Sequence, residues 1–211
     1  MHTEQSRRER KKEETKERIF KEAIRLFTKR GFANTTIDDI TERADVAKGT
    51  FFNYFPRKEA VLGYLSEQRL EEVEAEAETI FSSPRGAREK LIEIYLRAVS
   101  AYESDRDLSR YVINELMSRA FDVTEEHHHG QRWDALIHRA LELGREHGEL
   151  RADLDVNRAS EVLTAVYYAT VYMWVNCGDF VHMHDFKLAE EMRTRLELVL
   201  DGLTARNGGR S

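Results

Sequence analysis

Residues 35–59 read TTIDDITERADVAKGTFFNYFPRKE, and this stretch decides the fold. Thr36 followed by Asp39 has the spacing of a capping box, in which hydroxyl and carboxylate each satisfy one backbone N–H at a helix start. Ile37, Ile40 and Ala44 then recur at helical spacing and mark one buried face. Asp45 suits a turn, because a short polar residue tolerates the left-handed conformation. Val46 is expected to fill the crevice between this helix and the next. The second helix is held to about two turns by Pro56, which disfavours helical geometry at Phe55 and cannot continue the ladder. On it Phe51 and Phe55 sit four apart and face inward. Lys48, Gly49, Thr50, Phe52, Asn53 and Tyr54 are left for outward use.

An outward helix of that composition can enter a DNA major groove. Lys48 and Asn53 have the donors and acceptors to read base edges, whereas Thr36, Thr50 and Tyr54 offer hydroxyls to phosphate oxygens. Gly49 lets the helix N-terminus approach a phosphate backbone closely. Lys58, expected to begin the following helix, is placed to pin a phosphate. The plainer alternative is a helical hairpin with solvated charges, which this ordered string of positions disfavours.

The same string resembles the DNA-binding motif of the tetracycline-repressor (TetR) family of bacterial one-component regulators. The resemblance implies a three-helix, helix-turn-helix DNA-binding domain over 13–73, with its motif at 36–55. It also implies a C-terminal ligand-binding and dimerisation domain over 74–211. The chain departs from the family pattern twice. Ala47 stands where many relatives carry a capping Ser, and Phe52 stands where a phenol is common. Phe52 has no hydroxyl for a phosphate but can meet a thymine methyl.

Composition agrees with an all-α chain of about nine helices. Only two prolines occur, Pro56 and Pro84, both reading as helix boundaries, and 41% of the 211 residues are hydrophobic. The net charge of −6 conceals an asymmetry: residues 1–60 hold 15 Lys/Arg against 11 Asp/Glu, while the rest holds 18 against 28. A basic head on an acidic body fits a protein that touches DNA at one end. The lone Cys177 excludes an internal disulfide framework and suits a reducing cytoplasm. The N-terminus is charged, unlike a signal peptide. The most apolar run, 162–175, is too short to span a bilayer.

The first fourteen residues are almost wholly polar and are expected to be disordered, with Arg7, Arg8, Arg10, Lys11 and Lys12 available to phosphates or simply solvated. Helices are then expected over about 15–30, 57–81, 87–103, 108–121, 131–147, 156–176 and 186–203, besides the two of the motif. The helix at 156–176 is apolar nearly all round and should be buried on several faces.

A two-turn recognition helix buries little surface, so a symmetric homodimer on double-stranded operator DNA is expected. Family resemblance puts the dimer interface on the last two helices, with Leu188, Met192, Leu196 and Val199 as its residues. The bland reading is that both helices merely close the monomer core. By the same resemblance a small-molecule effector, apolar or aromatic, sits among the helices expected over 87–103, 108–121, 131–147 and 156–176. Tyr102, Trp133, Tyr168 and Tyr172 are its candidate lining, weighed against plain core packing.

His127, His128 and His129, with His138, His147, His182, His184 and Cys177, invite a metal or enzymatic reading. Successive loop histidines diverge, however, and no i, i+4 pair of the His-Glu-x-x-His kind occurs. Neither a phosphate loop nor a nucleophile elbow is present. The expectation is a ligand-responsive transcriptional regulator, most often a repressor in this family, with no metal, no cofactor, no catalysis and no membrane segment.

Overall fold

The computed structural model describes residues 7–120, 128–177 and 187–204. Among these it contains nine α-helices and no strand: α1 Arg7–Arg30, α2 Ile37–Ala44, α3 Lys48–Tyr54, α4 Ala60–Ser82, α5 Ala87–Glu103, α6 Arg106–Ala120, α7 His128–Glu146, α8 Val156–Asn176 and α9 Leu188–Leu203. The chain divides into two compact units, Met1–Leu65 and Ser66–Ser211, and passes from one to the other within α4.

The first unit is built on aromatic rings. Phe27 meets Phe32 edge-on at 4.8 Å, Phe51 meets Phe55 at 5.8 Å, and Tyr64 receives Phe20 at 5.0 Å and Phe55 at 5.9 Å. Rings at these separations add about 0.5–1.5 kcal/mol per pair beyond the area they bury. α1 begins at Arg7, where disorder through residue 14 was expected. Its first turns are carried by local pairs, Arg10 to Glu14 at 3.6 Å and the Thr15 hydroxyl donating to the Lys11 carbonyl at 2.8 Å. These i, i+4 contacts extend the helix from its packed half. α1 stops at Gly31, which holds φ +84° while its N–H donates to the Phe27 carbonyl.

The second unit is a helical bundle with α5 and α8 at its centre. α5 packs on α9, α7, α6 and α8, and α8 packs on α9, α6 and α7. α5 and α7 approach so closely that a Cβ on Gly144 would stand 2.6 Å from Ala87 Cβ. The start of α5 has no local side-chain cap; instead the Ala87 N–H donates to Glu149 Oε2 at 2.6 Å. The end of α9 is tied back by an isolated bridge between Leu150 and Thr204, with the Arg151 N–H donating to the Leu203 carbonyl.

The expected dimer residues require correction. Leu188, Met192 and Leu196, together with Leu200, are fully buried within the single chain, because this stripe of α9 faces α5 and α8. Val199 alone of the four is part-exposed. The apolar residues left outward are others: Val162 is 50% exposed, Tyr172 42% and Leu198 76%. Ala165 and Ala169 lie between the two α8 residues on the same exposed face. α8 is thus two-faced, with Leu163, Tyr167, Val171 and Val175 inside and a second apolar stripe outside.

Candidate nucleic-acid interface and effector cavity

The α2–α3 pair follows from its sequence almost atom by atom. The Asp39 N–H donates to Thr36 Oγ1 at 3.1 Å, and the Thr36 N–H returns to Asp39 Oδ2 at 2.8 Å. The Thr36 hydroxyl itself donates to the same carboxylate. These bonds stabilise the charged carboxylate and hold the Asp39 carboxyl below its ordinary range, with Arg30 adding a smaller pull. Asp45 closes α2 in the left-handed region at φ 50°, ψ 56°. Behind it the Val46 N–H donates to the Thr41 carbonyl at 3.1 Å, which satisfies a helix-end acceptor.

α3 begins at Lys48 without any side-chain cap, since Ala47 offers none. Phe51 and Phe55 are buried at 0% and 2% exposure, and their burial fixes which face looks out. That face carries Lys48, Gly49, Phe52 and Asn53 in the open, with Thr50 and Tyr54 half-buried beside them. No atom lies within 4 Å of where a Cβ on Gly49 would stand, so the start of α3 is open to a close approach. Phe52, 45% exposed, is a large apolar ring standing in solvent on this face. Lys48 is held by Asp38 at 2.8 Å.

Lys58 lies just outside the helix it was expected to begin. It precedes α4, which starts at Ala60, and its ammonium donates to the Phe32 carbonyl at 2.7 Å and the Thr35 carbonyl at 2.8 Å. It also stands 4.2 Å from the centre of the Phe32 ring. Desolvation lowers its pKa from the ordinary lysine value. Two of its three N–H groups therefore hold the connection from α1 to α2.

The second unit contains a cavity of about 110 Å³. Tyr102, Trp133, Tyr167 and Tyr168 supply its aromatic wall, while Arg69 and Arg97 are its cations. Trp133 stacks on Tyr167 at 5.0 Å and 28°, and Tyr167 meets Tyr168 edge-on at 5.0 Å. The Tyr167 hydroxyl lies 3.4 Å from that of Tyr102. Burial pushes the Tyr167 and Tyr168 phenols well above the ordinary range, so both stay neutral donors at any physiological pH.

Three of the four residues expected to line the cavity do so. Tyr172 does not: it belongs to the outer stripe of α8, because a turn that directs Tyr167 and Val171 inward directs residue 172 outward. Tyr167 takes its place. Arg69, on the polar-looking stretch of α4, carries no pattern in the sequence that marks it as cavity lining.

Among the described residues no group of three or more His, Cys, Asp or Glu side chains gathers to hold a metal. The His127–His129 run and His182 and His184 lie outside what the structure describes in this respect. No helix among the described residues is long and apolar enough to cross a membrane.

Comparison with known proteins matches both units. Residues 19–65 match the model of bacterial regulatory proteins of the tetR family, and residues 67–202 match the C-terminal domain of TetR/AcrR family transcriptional repressors. The solved structure of Thermus thermophilus FadR, a TetR-family repressor in complex with lauroyl-CoA, superposes with a TM-score of 0.76 at 30% identity, covering 93% of this chain and 98% of that one. The fatty acid metabolism regulator protein of Bacillus subtilis is 23% identical over 88% of this chain and 93% of its own length. The Bacillus subtilis regulator YerO is 53% identical over 49 residues, 23% of this chain and 17% of that protein. With the helix-turn-helix, the bundle and the cavity all accounted for, the chain belongs to the TetR/AcrR family of DNA-binding, ligand-responsive transcriptional repressors.

Proposed function

We propose that this repressor binds a two-fold symmetric operator as a homodimer and leaves it when an acyl-bearing effector, an acyl thioester or its free acid, fills the second unit. The observation that carries the proposal is the cavity whose wall joins Tyr102, Trp133, Tyr167 and Tyr168 to apolar Leu70, Val73 and Leu116, with Arg69 and Arg97 among them to orient a ligand. The bound lauroyl-CoA of the Thermus thermophilus relative supports the acyl class. On the DNA side, Lys48 and Asn53 read base edges, Thr50 and Tyr54 meet phosphates, Gly49 admits the backbone, and Phe52 lies against a thymine methyl. Thr36 reaches a phosphate only by breaking its bond to Asp39.

Dimerisation uses the outer stripe of α8 and α9, with Val162, Tyr172, Leu198 and Val199 on the seam. A contiguous apolar surface of this kind on a soluble chain marks an interface. The effector acts by preferring a spacing of the two recognition helices unlike the DNA-bound one, since equal affinity for both states would shift nothing.

The test is a gel shift with the duplex upstream of the protein's own coding region, titrated with dodecanoyl-CoA and dodecanoic acid. A salt-steep complex dissolved by one of the two is expected. A complex that survives saturating amounts of both rejects the acyl reading.

A further inference from the structure

Resting on the acyl-effector reading, we infer that Arg69 and Trp133 form the acceptor-binding pole of the cavity and hold the acyl oxygen of the effector, a carboxylate or thioester carbonyl.

Both residues line the cavity, and each carries a buried N–H that has no partner within the chain. Trp133 is 3% exposed, yet its indole Nε1 donates to nothing, and Arg69 Nη1 is likewise buried without an acceptor. More than nine in ten buried polar groups in folded proteins are hydrogen-bonded, so two orphan donors on residues that line one cavity call for an acceptor from outside the chain. The other lining cation and two of the tyrosine hydroxyls are already engaged. Arg97, the other lining cation, reaches Glu76 at 3.2 Å and Glu93 at 3.0 Å. The hydroxyls of Tyr102 and Tyr167 face each other at 3.4 Å.

Arg69 is held in place by packing. Its guanidinium carbon stands 5.0 Å from the centre of the Tyr102 ring, an arrangement that fixes the plane of the fork while leaving an N–H edge free. An acyl group matches this pole: its oxygen accepts, and its apolar chain lies along the tyrosines and Trp133. Glu72 and Glu76, exposed carboxylates on the same cavity, disfavour a second anionic group at their end. The ligand therefore presents one acceptor to the buried end.

Calorimetry on the full-length protein tests this, with dodecanoyl-CoA and dodecanoic acid as separate probes, so that the thioester and the free acid are told apart. Arg69→Met keeps the length of the side chain without the donors and should weaken the probe that binds by about ten- to hundred-fold, as loss of a charge-assisted hydrogen bond does. Trp133→Phe keeps a ring without the donor and should weaken it by about three- to ten-fold. A merely structural role predicts destabilisation of the unliganded protein. The acceptor role predicts that Arg69→Met loses affinity while melting close to its parent, because removal of an orphan donor offsets loss of the Tyr102 contact. Affinities within two-fold of the parent in both variants overturn this inference alone. A parent protein that binds neither probe overturns the acyl reading and this inference with it.

Discussion

Leu198→Glu tests the division of α9 into an inner and an outer face. Leu198 is 76% exposed in the single chain, so a charge there meets water in a monomer and should change its stability by no more than about 0.5 kcal/mol. In a two-fold dimer each substitution is present twice, once from each protomer. An unpaired charge buried at the seam costs about 3 kcal/mol or more per copy. The pair therefore costs about 6 kcal/mol, which weakens dimerisation by about 10⁴-fold. The inner face should behave in the opposite way. Met192 has no exposed surface, and Met192→Ala should cost about 2–5 kcal/mol of folding stability through the cavity it leaves, while the outer face stays intact. Sedimentation equilibrium combined with thermal melting reads both outcomes. The expected pattern is a folded monomer for Leu198→Glu and a destabilised dimer for Met192→Ala. A Leu198→Glu protein that remains dimeric at nanomolar concentration with its parent's operator affinity would refute the assignment of the seam.

Lys58→Met leaves the Phe32 and Thr35 carbonyls without their donor, so the full-length protein should lose about 1–3 kcal/mol in urea denaturation, with operator affinity falling through misplacement of α2. Thr36→Ala should cost about 1 kcal/mol through loss of the N-cap. The Asp39 carboxyl has a folded pKa below its ordinary value of 3.8, so its contribution is present above that value and is lost as pH falls through the folded one. An Asp39→Asn protein should accordingly show a shallower loss of stability on acidification, measured by melting from pH 7 to pH 3. Gly144→Ala drives a methyl to within 2.6 Å of Ala87 Cβ and should cost about 1–3 kcal/mol by overpacking, read from the chemical denaturation midpoint.

The DNA-binding head was legible because its determinants are local. The capping box, the left-handed Asp45 and the inward Phe51 and Phe55 each depend on neighbours within a few residues, and the structure shows each in the expected conformation. The backbone partners of Lys58 could not be read from the sequence because Phe32 and Thr35 lie more than twenty residues away and contribute carbonyls, which carry no residue-type signal. α8 and α9 defeated periodicity for another reason. Both faces of α8 are apolar, and α9 adds Leu198 and Val199 to its buried stripe, so a hydrophobic pattern cannot say which face packs within the chain. The exchange of Tyr172 for Tyr167 in the cavity has the same origin. Arg69 was invisible for the complementary reason: a charged residue on an acidic helix reads as solvated until the Tyr102 ring beneath it is known.

The ion pair between Lys48 and Asp38 has a kinetic consequence. In the DNA-bound state proposed for the head, Lys48 reaches a base only after leaving the carboxylate that holds it at 2.8 Å. An exposed pair of this kind is worth at most about 1 kcal/mol, a factor of about five for each head. On generic DNA the gain open to Lys48 is a phosphate contact, which must also displace Asp38, whereas at the operator a base contact offsets the loss. Generic adhesion is thereby weakened, and time spent at the wrong place on a chromosome is shortened. An acidic residue beside Lys48 thus favours, in that proposed bound state, a faster search for the right site.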